Sequence, residues 1–242
     1  MTLRIAMWSG PRNISTAMMR SWENRPDCTV VDEPFYAAYL ADTGIEHPCR
    51  EQILLTQSTD YGKVVEELTE HPVSSPLQYQ KHMTHHIPRG MNMGWCASMK
   101  HCFLIRDPAE VIASYVQKMP SIDEDAIGIR RQAELFTEIA AITGSNPVVI
   151  DSNDVLDDPG PILAALCRDL EVDYYPDAML HWPAGKRSSD GIWASHWYHN
   201  VEQSTGFGQN RTGAASLEPA HRELAERMRP FYEEMAVLRI RN

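Results

Sequence analysis

Ile5-Ala6-Met7-Trp8-Ser9-Gly10-Pro11-Arg12-Asn13-Ile14-Ser15-Thr16-Ala17-Met18-Met19 is the stretch whose reading decides the fold. The apolar run that begins at Leu3 stops after Trp8 at Ser9-Gly10-Pro11, a combination that neither strand nor helix carries through its interior. From Asn13 onward, Ile14, Met18 and Trp22 recur at helical spacing. Strand, tight turn and helix in that order turn free backbone N–H groups and the positive helix end outward together, an arrangement that binds phosphate or sulfate. Arg12 brings a fork of N–H donors into the turn, and Ser15 and Thr16 add hydroxyls at the first helical turn. Gly, Pro, Asn and Ser also suit any strand-to-helix turn, so the loop alone does not establish a ligand site. It departs from the Walker pattern too. Gly10 is followed by no Gly-Lys-[Ser/Thr], so the lysine that reaches a nucleotide's terminal phosphates is absent, which disfavours an ordinary ATP or GTP hydrolase.

Around this loop the chain offers one core's worth of sequence. Its 242 residues contain no internal repeat, Ser/Gly linker or low-complexity tract, so a single domain over 1–242 is expected. The apolar runs fall short of the roughly 20 residues of a membrane span, and Ser9-Gly10 interrupts any signal-peptide core. The five cysteines are scattered without a Cys-x-x-Cys pair, which fits reduced thiols in a cytoplasmic protein. A net charge of −11 speaks against nucleic acid or an anionic membrane as a general partner. A small anion can still be held where a few arginines converge.

Taken in order, Cys28-Thr29-Val30-Val31 reads as a second strand, ending at Asp32-Glu33-Pro34. Pro34 biases Glu33 toward extended backbone, which places both carboxylates at the strand's carboxyl end, the ligand-bearing edge of an open α/β sheet. The alternative is a helix start with Pro34 at its first position. Residues 41–57 read as loop or small helices, 61–70 as a helix, and 76–80 as a third strand running into Lys81-His82-Met83-Thr84-His85-His86. The histidine spacing matches no zinc motif, so no metal is expected, and a pocket role competes with plain polar surface. Cys102-Phe103-Leu104-Ile105-Arg106 is a buried strand, followed by Asp107 as N-cap and Pro108 opening a helix to Met119. Ser114 falls on the flank of that helix's apolar stripe. One long helix over 124–143, a strand over 147–150 and a helix over 159–170 complete an alternation that predicts an α/β fold with a mainly parallel sheet. The aromatic, aperiodic segment 181–213 reads as a lid. A terminal helix over about 218–238 follows, which Pro230 is expected to kink or split.

These residues together resemble the P-loop sulfotransferase superfamily, which moves a sulfuryl group from 3'-phosphoadenosine 5'-phosphosulfate (PAPS) to an acceptor. The resemblance implies a P-loop-type three-layer fold, a central sheet flanked by helices. Ser9, Gly10, Pro11, Arg12, Asn13, Ile14, Ser15 and Thr16 look like the family's phosphosulfate loop. Arg106 and Ser114 match in spacing the strand-end arginine and helical serine that grip the 3'-phosphate. Lys186, Arg187 and Trp193 are similar to a late loop that closes over the nucleotide, with several departures. Many cytosolic members use a histidine after a Lys-Thr-His strand, whereas Lys81-His82-Met83 shifts it by one place. Asp32-Glu33-Pro34 looks closer to a bacterial branch in which a glutamate before proline is the base. Glu33 is therefore the expected base and His82 or His85 the second choice, with Arg12 stabilising the leaving charge.

The implied cofactor is PAPS, leaving as 3',5'-adenosine bisphosphate, with no metal. The implied partner is a small-molecule hydroxyl or amine acceptor, neither nucleic acid nor membrane, and a homo-oligomer stays open. A degenerate P-loop kinase or nucleotide phosphohydrolase, and a nucleotide-binding module without catalysis, are the rival readings.

Overall fold

The computed structural model describes residues 2–119, 122–209 and 217–241. Its chain runs β1 (Leu3–Ser9), α1 (Ser15–Glu23), β2 (Cys28–Asp32), α2 (Tyr36–Thr43), α3 (Arg50–Thr56), α4 (Tyr61–Glu70) and β3 (Leu77–Met83). It continues through β4 (Lys100–Ile105), α5 (Pro108–Tyr115), α6 (Glu124–Ile127), α7 (Ile129–Thr143), β5 (Val148–Asp151), α8 (Ser152–Asp157) and α9 (Pro159–Asp169). Four further helices close it: α10 (Pro176–Leu180), α11 (Ala194–Trp197), α12 (His199–Glu202) and α13 (Pro219–Ala236). The strands form one parallel sheet in the order β2-β3-β1-β4-β5. From β1 the chain crosses to the edge at β2, returns inward to β3 beside β1, and then passes to β4 and β5 on the other side, so the carboxyl end of β1 lies at the topological switch point, where open α/β sheets bind ligands.

Strand alternation divides the core. Ile5, Met7, Tyr79, Cys102 and Leu104 face a layer built with Met18, Trp22, Leu40, Ile162 and Leu166. Ala6, Trp8, Phe103 and Val149 face the other layer, with Val64, Leu68, Leu135, Ile139 and Met235. Both faces of β1 are closed, so its residues 5–9 are buried throughout and read as a continuous run, as a central parallel strand must. Mixed α/β with a parallel sheet between helical layers is the fold that the alternation predicted.

Three local readings need correction. The histidine loop expected after residue 80 begins later, because β3 continues through Met83 along the full length of β1. The single helix expected over 124–143 is two, α6 and α7, separated by Gly128 at φ 65°. A Cβ there would lie 2.9 Å from Thr84 Oγ1, and Thr84 in turn donates to the Gly128 carbonyl at 3.0 Å. Gly128→Ala combines that contact with a left-handed backbone and is expected to cost at least about 1–2 kcal/mol, read as a lower urea midpoint with unchanged m. The terminal helix expected over about 218–238 is α13, and of the two effects expected of Pro230 the split does not occur. Glu33 is not extended: its φ is 43°, because its N–H bonds the Lys81 carbonyl while its own carbonyl accepts from Tyr36 N and Gln57 Nε2. The chain turns there, and α2 starts later, at Tyr36, so neither carboxylate caps it.

Candidate functional site

The loop after β1 is held from beneath by its neighbours. The Asn13 amide donates to the Leu104 carbonyl at 2.9 Å, and Ser152 Oγ donates to the carbonyls of Asn13 (3.1 Å) and Ile105 (2.9 Å). Gln132 Nε2 donates to the carbonyls of Trp8 and Leu104. A Cβ on Gly10 would stand 2.8 Å from the Ile127 carbonyl oxygen, so only glycine lets the α6–α7 junction come this close. Arg12 and Ile14 are left-handed, at φ 62° and 55°. For a β-branched residue that is a true outlier, and such strain persists where the surroundings over-determine it. Ile14 offers no side-chain cap to α1, so the first N–H groups of that helix are left to another partner.

Arg12 and Arg106 meet here. Arg12 Nε donates to Ser114 Oγ at 2.9 Å, and Arg106 Nη1 donates to the Arg12 carbonyl at 2.8 Å. Glu110 pairs with Arg106 Nε at 2.9 Å and also accepts from Asn153. Burial, then the charge of Arg106, holds the Arg12 guanidinium below its ordinary pKa. Two like charges brought together over an uncapped helix start are what an anion between them would relieve.

The pocket is a cavity of about 360 Å³, within the range of small-molecule sites. Pro11 to Thr16, Arg106 and Ser114 line one part of it, and Glu33, Lys81, Met83 and His85 line another. Opposite the loop lies a buried network. Lys81 Nζ donates to Asp32 Oδ1 (2.9 Å), Glu33 Oε1 (2.6 Å) and Tyr198 Oη (2.6 Å). Its three protons are thereby used. Tyr198 Oη contacts both Asp32 oxygens, at 2.8 and 2.7 Å, and accepts from Trp193 Nε1 at 3.1 Å. Asp32 also receives the Gly191 N–H. Burial pushes the Glu33 carboxyl above its usual range; Lys81 opposes that rise and Asp32 adds to it. For Lys81, burial is outweighed by Asp32 and Glu33, and its ammonium is held well above its ordinary pKa. Two carboxylates share one ammonium.

Tyr198→Phe removes the hydroxyl that ties the 181–209 segment to β2 and β3. It is expected to lower unfolding free energy by about 1–3 kcal/mol, measured by urea denaturation, because Asp32 and Lys81 each lose a buried partner.

The structure brings Arg12, Asn13, Ile14, Ser15, Thr16, Pro11, Arg106, Ser114, Glu33 and His85 to one cavity. Ser9 and Gly10 lie beneath it, as the strand end and the packing point of the loop. His82 stands apart: it points to the other sheet face, stacked on Trp8 at 4.5 Å and bonded through Nε2 to Gln80 Oε1. Burial, then His101, lowers its pKa to about 3. Lys186 is exposed, and Arg187 reaches Glu23 and the Pro183 carbonyl, at the far end of α1 from the loop. Trp193 is buried behind Tyr198. The segment read as a lid is described through residue 209 and holds α11 and α12, with Tyr198, Asn200, Val201, Ser204, Gly206 and Gly208 at the cavity. Residues 210–213 of it lie outside the described residues.

Sequence reasoning passed over Lys81 as a pocket residue. A signal was present: β3 reads Leu77, Tyr79, Lys81 and Met83 on alternate positions, and register puts Lys81 beside Asp32. A lysine at a core position beside an Asp-Glu strand end implies a buried ion pair. His47 and His86 also line the cavity. His85 is lowered to about 3 by burial and then His47, and His86 falls well below its ordinary value by burial and then His85, so both rings are neutral.

Residues 3–239 match the Sulfotransferase domain family. Over 228 residues the chain is 32% identical to Branched-chain-amino-acid aminotransferase-like protein 2 of Arabidopsis thaliana, covering 94% of this chain and 40% of that protein. The chain thus spans well under half the length of that curated relative. The sulfotransferase of Alicyclobacillus acidocaldarius has the same fold at a TM-score of 0.57 and 12% identity, over 100% of this chain and 98% of that one. A mouse sulfotransferase complexed with PAP gives 0.53 at 12% identity, over 93% and 82%.

Proposed function

The chain belongs to the Sulfotransferase domain family, and from that premise we propose that it transfers the sulfuryl group of PAPS to a hydroxyl or amine of a small-molecule acceptor. The observation that carries this reading is the convergence of Arg12, bonded to Ser114, and Arg106, bonded to the Arg12 carbonyl, over the uncapped start of α1. That arrangement fits a nucleotide carrying two separated anionic groups. Bound PAPS would supply the sulfuryl group and leave as 3',5'-adenosine bisphosphate. Ser9 to Thr16 hold its phosphosulfate end, and Arg106 with Ser114 hold the 3'-phosphate. Glu33 takes the acceptor's proton as the acceptor oxygen or nitrogen bonds to sulfur and the sulfur–oxygen bond to phosphate breaks. Burial raises its pKa, which makes it a stronger base than an ordinary glutamate. Arg12 and the loop N–H groups meet the charge left on the phosphate oxygen.

Asp32 and Lys81 position Glu33 by fixing its carboxylate from one side. The 181–213 segment acts as a lid, anchored through Tyr198 and Gly191 to Asp32. Arg187, through Glu23 and the Pro183 carbonyl, and Trp193, through Tyr198, hold the lid in this reading, while Lys186 stands exposed. The whole of 1–242 works as one P-loop-type unit.

The test is release of 3',5'-adenosine bisphosphate from PAPS against a panel of hydroxyl and amine acceptors. Acceptor-dependent release supports transfer. Binding of the bisphosphate with no release on any acceptor would leave a nucleotide-binding module in its place.

A further inference from the structure

Past Glu33 the cavity is walled by rings. Tyr36, His47, His85, His86 and Trp197 all line it. His86 is 2% exposed and stacks on Tyr36 at 4.6 Å and on Tyr39 at 4.8 Å. His85 meets His86 edge-on at 4.4 Å, and His47 lies parallel to Trp197 at 5.7 Å while bonding Tyr36 Oη. These contacts fix the ring planes. They leave the polar edges of the two histidines unaccounted for.

The Nδ1 atoms of His85 and His86 are enclosed, with no hydrogen-bond partner among the described residues. An enclosed N–H without an acceptor is the costlier orphan, so each Nδ1 keeps its lone pair and the proton resides on Nε2. Each ring thus has one N–H left to offer a ligand in the cavity it lines. Both imidazoles are neutral, so they offer donors and no charge.

The neighbouring charges fix what those donors can hold. Lys81, the ammonium beside this part of the cavity, has spent its three protons on Asp32, Glu33 and Tyr198. Glu33 is itself acidic, and Arg12 and Arg106 belong to the loop end. Among the described residues, an anionic acceptor would give up its hydration here with no unspent cation to meet it.

We propose that His86, with His85, forms an acceptor subsite whose Nε2–H groups bond an uncharged oxygen of the acceptor, so that the preferred acceptor is a flat, uncharged hydroxyl compound bearing a second oxygen. This deepens the sulfotransfer reading and rests on it. The aromatic walls cover the flat body of the acceptor, Glu33 faces its reacting hydroxyl, and the imidazoles read its second oxygen. His85 is then a binding group and not a rival base.

The experiment uses three matched probes: 4-hydroxybenzamide (uncharged, second oxygen), phenol (no second oxygen) and 4-hydroxybenzoate (anionic). Their affinities are measured by calorimetry on the protein alone and on the protein loaded with 3',5'-adenosine bisphosphate. The amide is expected to bind tightest. His86→Phe keeps a flat ring and removes the donor, and should weaken the amide about tenfold, to the level of phenol, without moving phenol itself. His86→Gln keeps an N–H donor and should recover part of the loss. Tightest binding of 4-hydroxybenzoate, equal losses of amide and phenol in His86→Phe, or no binding of any probe would overturn the subsite. If His86→Phe does not fold, the wild-type ranking and His86→Gln decide. Titration of the bisphosphate reads the premise separately: failure there, with the amide preference intact, counts against the cofactor and not against the subsite.

Discussion

Glu33→Gln is expected to lower kcat by about 10²–10⁴-fold while affinity for 3',5'-adenosine bisphosphate stays unchanged. The substitution replaces a carboxylate by an amide of the same shape. Lys81 keeps Asp32 and Tyr198, so the network retains most of its bonds. What is lost is the proton acceptor beside the cavity. The pH profile gives a second signature. A general base must be ionised, so activity rises with pH through the pKa of Glu33 and falls below it. Burial raises that pKa, which moves the ascending limb above the range of an ordinary glutamate. In Glu33→Gln the residual activity should lose this limb. Unchanged turnover would remove Glu33 from the chemistry and hand the base role to another group at the cavity, His85 being the nearest in kind.

Arg106→Ala should weaken the bisphosphate by about 10- to 150-fold, the cost of one or two charge-assisted hydrogen bonds. The analogue that lacks the 3'-phosphate, AMP, should lose little. That contrast separates ligand recognition from loop damage. Arg106 also supports the loop through the Arg12 carbonyl, and Glu110 would be left without its arginine. If the structural contact dominated, both nucleotides would weaken alike. Equal losses would therefore take Arg106 out of the phosphate site and leave it as a prop for the loop.

How much of this could be read from the chain follows from the range of the forces involved. The turn at Ser9-Gly10-Pro11 and the capped start at Asp107-Pro108 are local events, set by backbone sterics and capping, and both lie where the sequence places them. The buried runs of β1 and β4 are equally plain, because a central parallel strand is apolar on both faces. The meeting of Arg12, Arg106 and Ser114 is a contact across more than ninety positions. It was legible through resemblance to a family motif, since no local pattern reports it.

The misreadings have the opposite origin. Glu33 leaves extended backbone because Lys81 and Gln57 bond its backbone groups, which outweighs the bias from Pro34. Gly128 divides a helix whose apolar period runs straight through it, and the reason lies in Thr84 and His85 packed against that glycine. His82 and Lys81 are adjacent in sequence and face opposite sides of the sheet, a consequence of strand period that was missed because the strand was ended too early. The lone glutamate-proline reading gave no hint of the Asp32-Lys81-Tyr198 network, since Tyr198 arrives from 166 residues further along.

The most direct measurement is calorimetry of 3',5'-adenosine bisphosphate against AMP and ATP in metal-free buffer. The bisphosphate should bind at least about tenfold more tightly than either, because only it presents a phosphate to Arg106 and Ser114 while another meets the loop. Equal affinities for the three nucleotides would contradict the assignment of Arg106 and Ser114 to a 3'-phosphate.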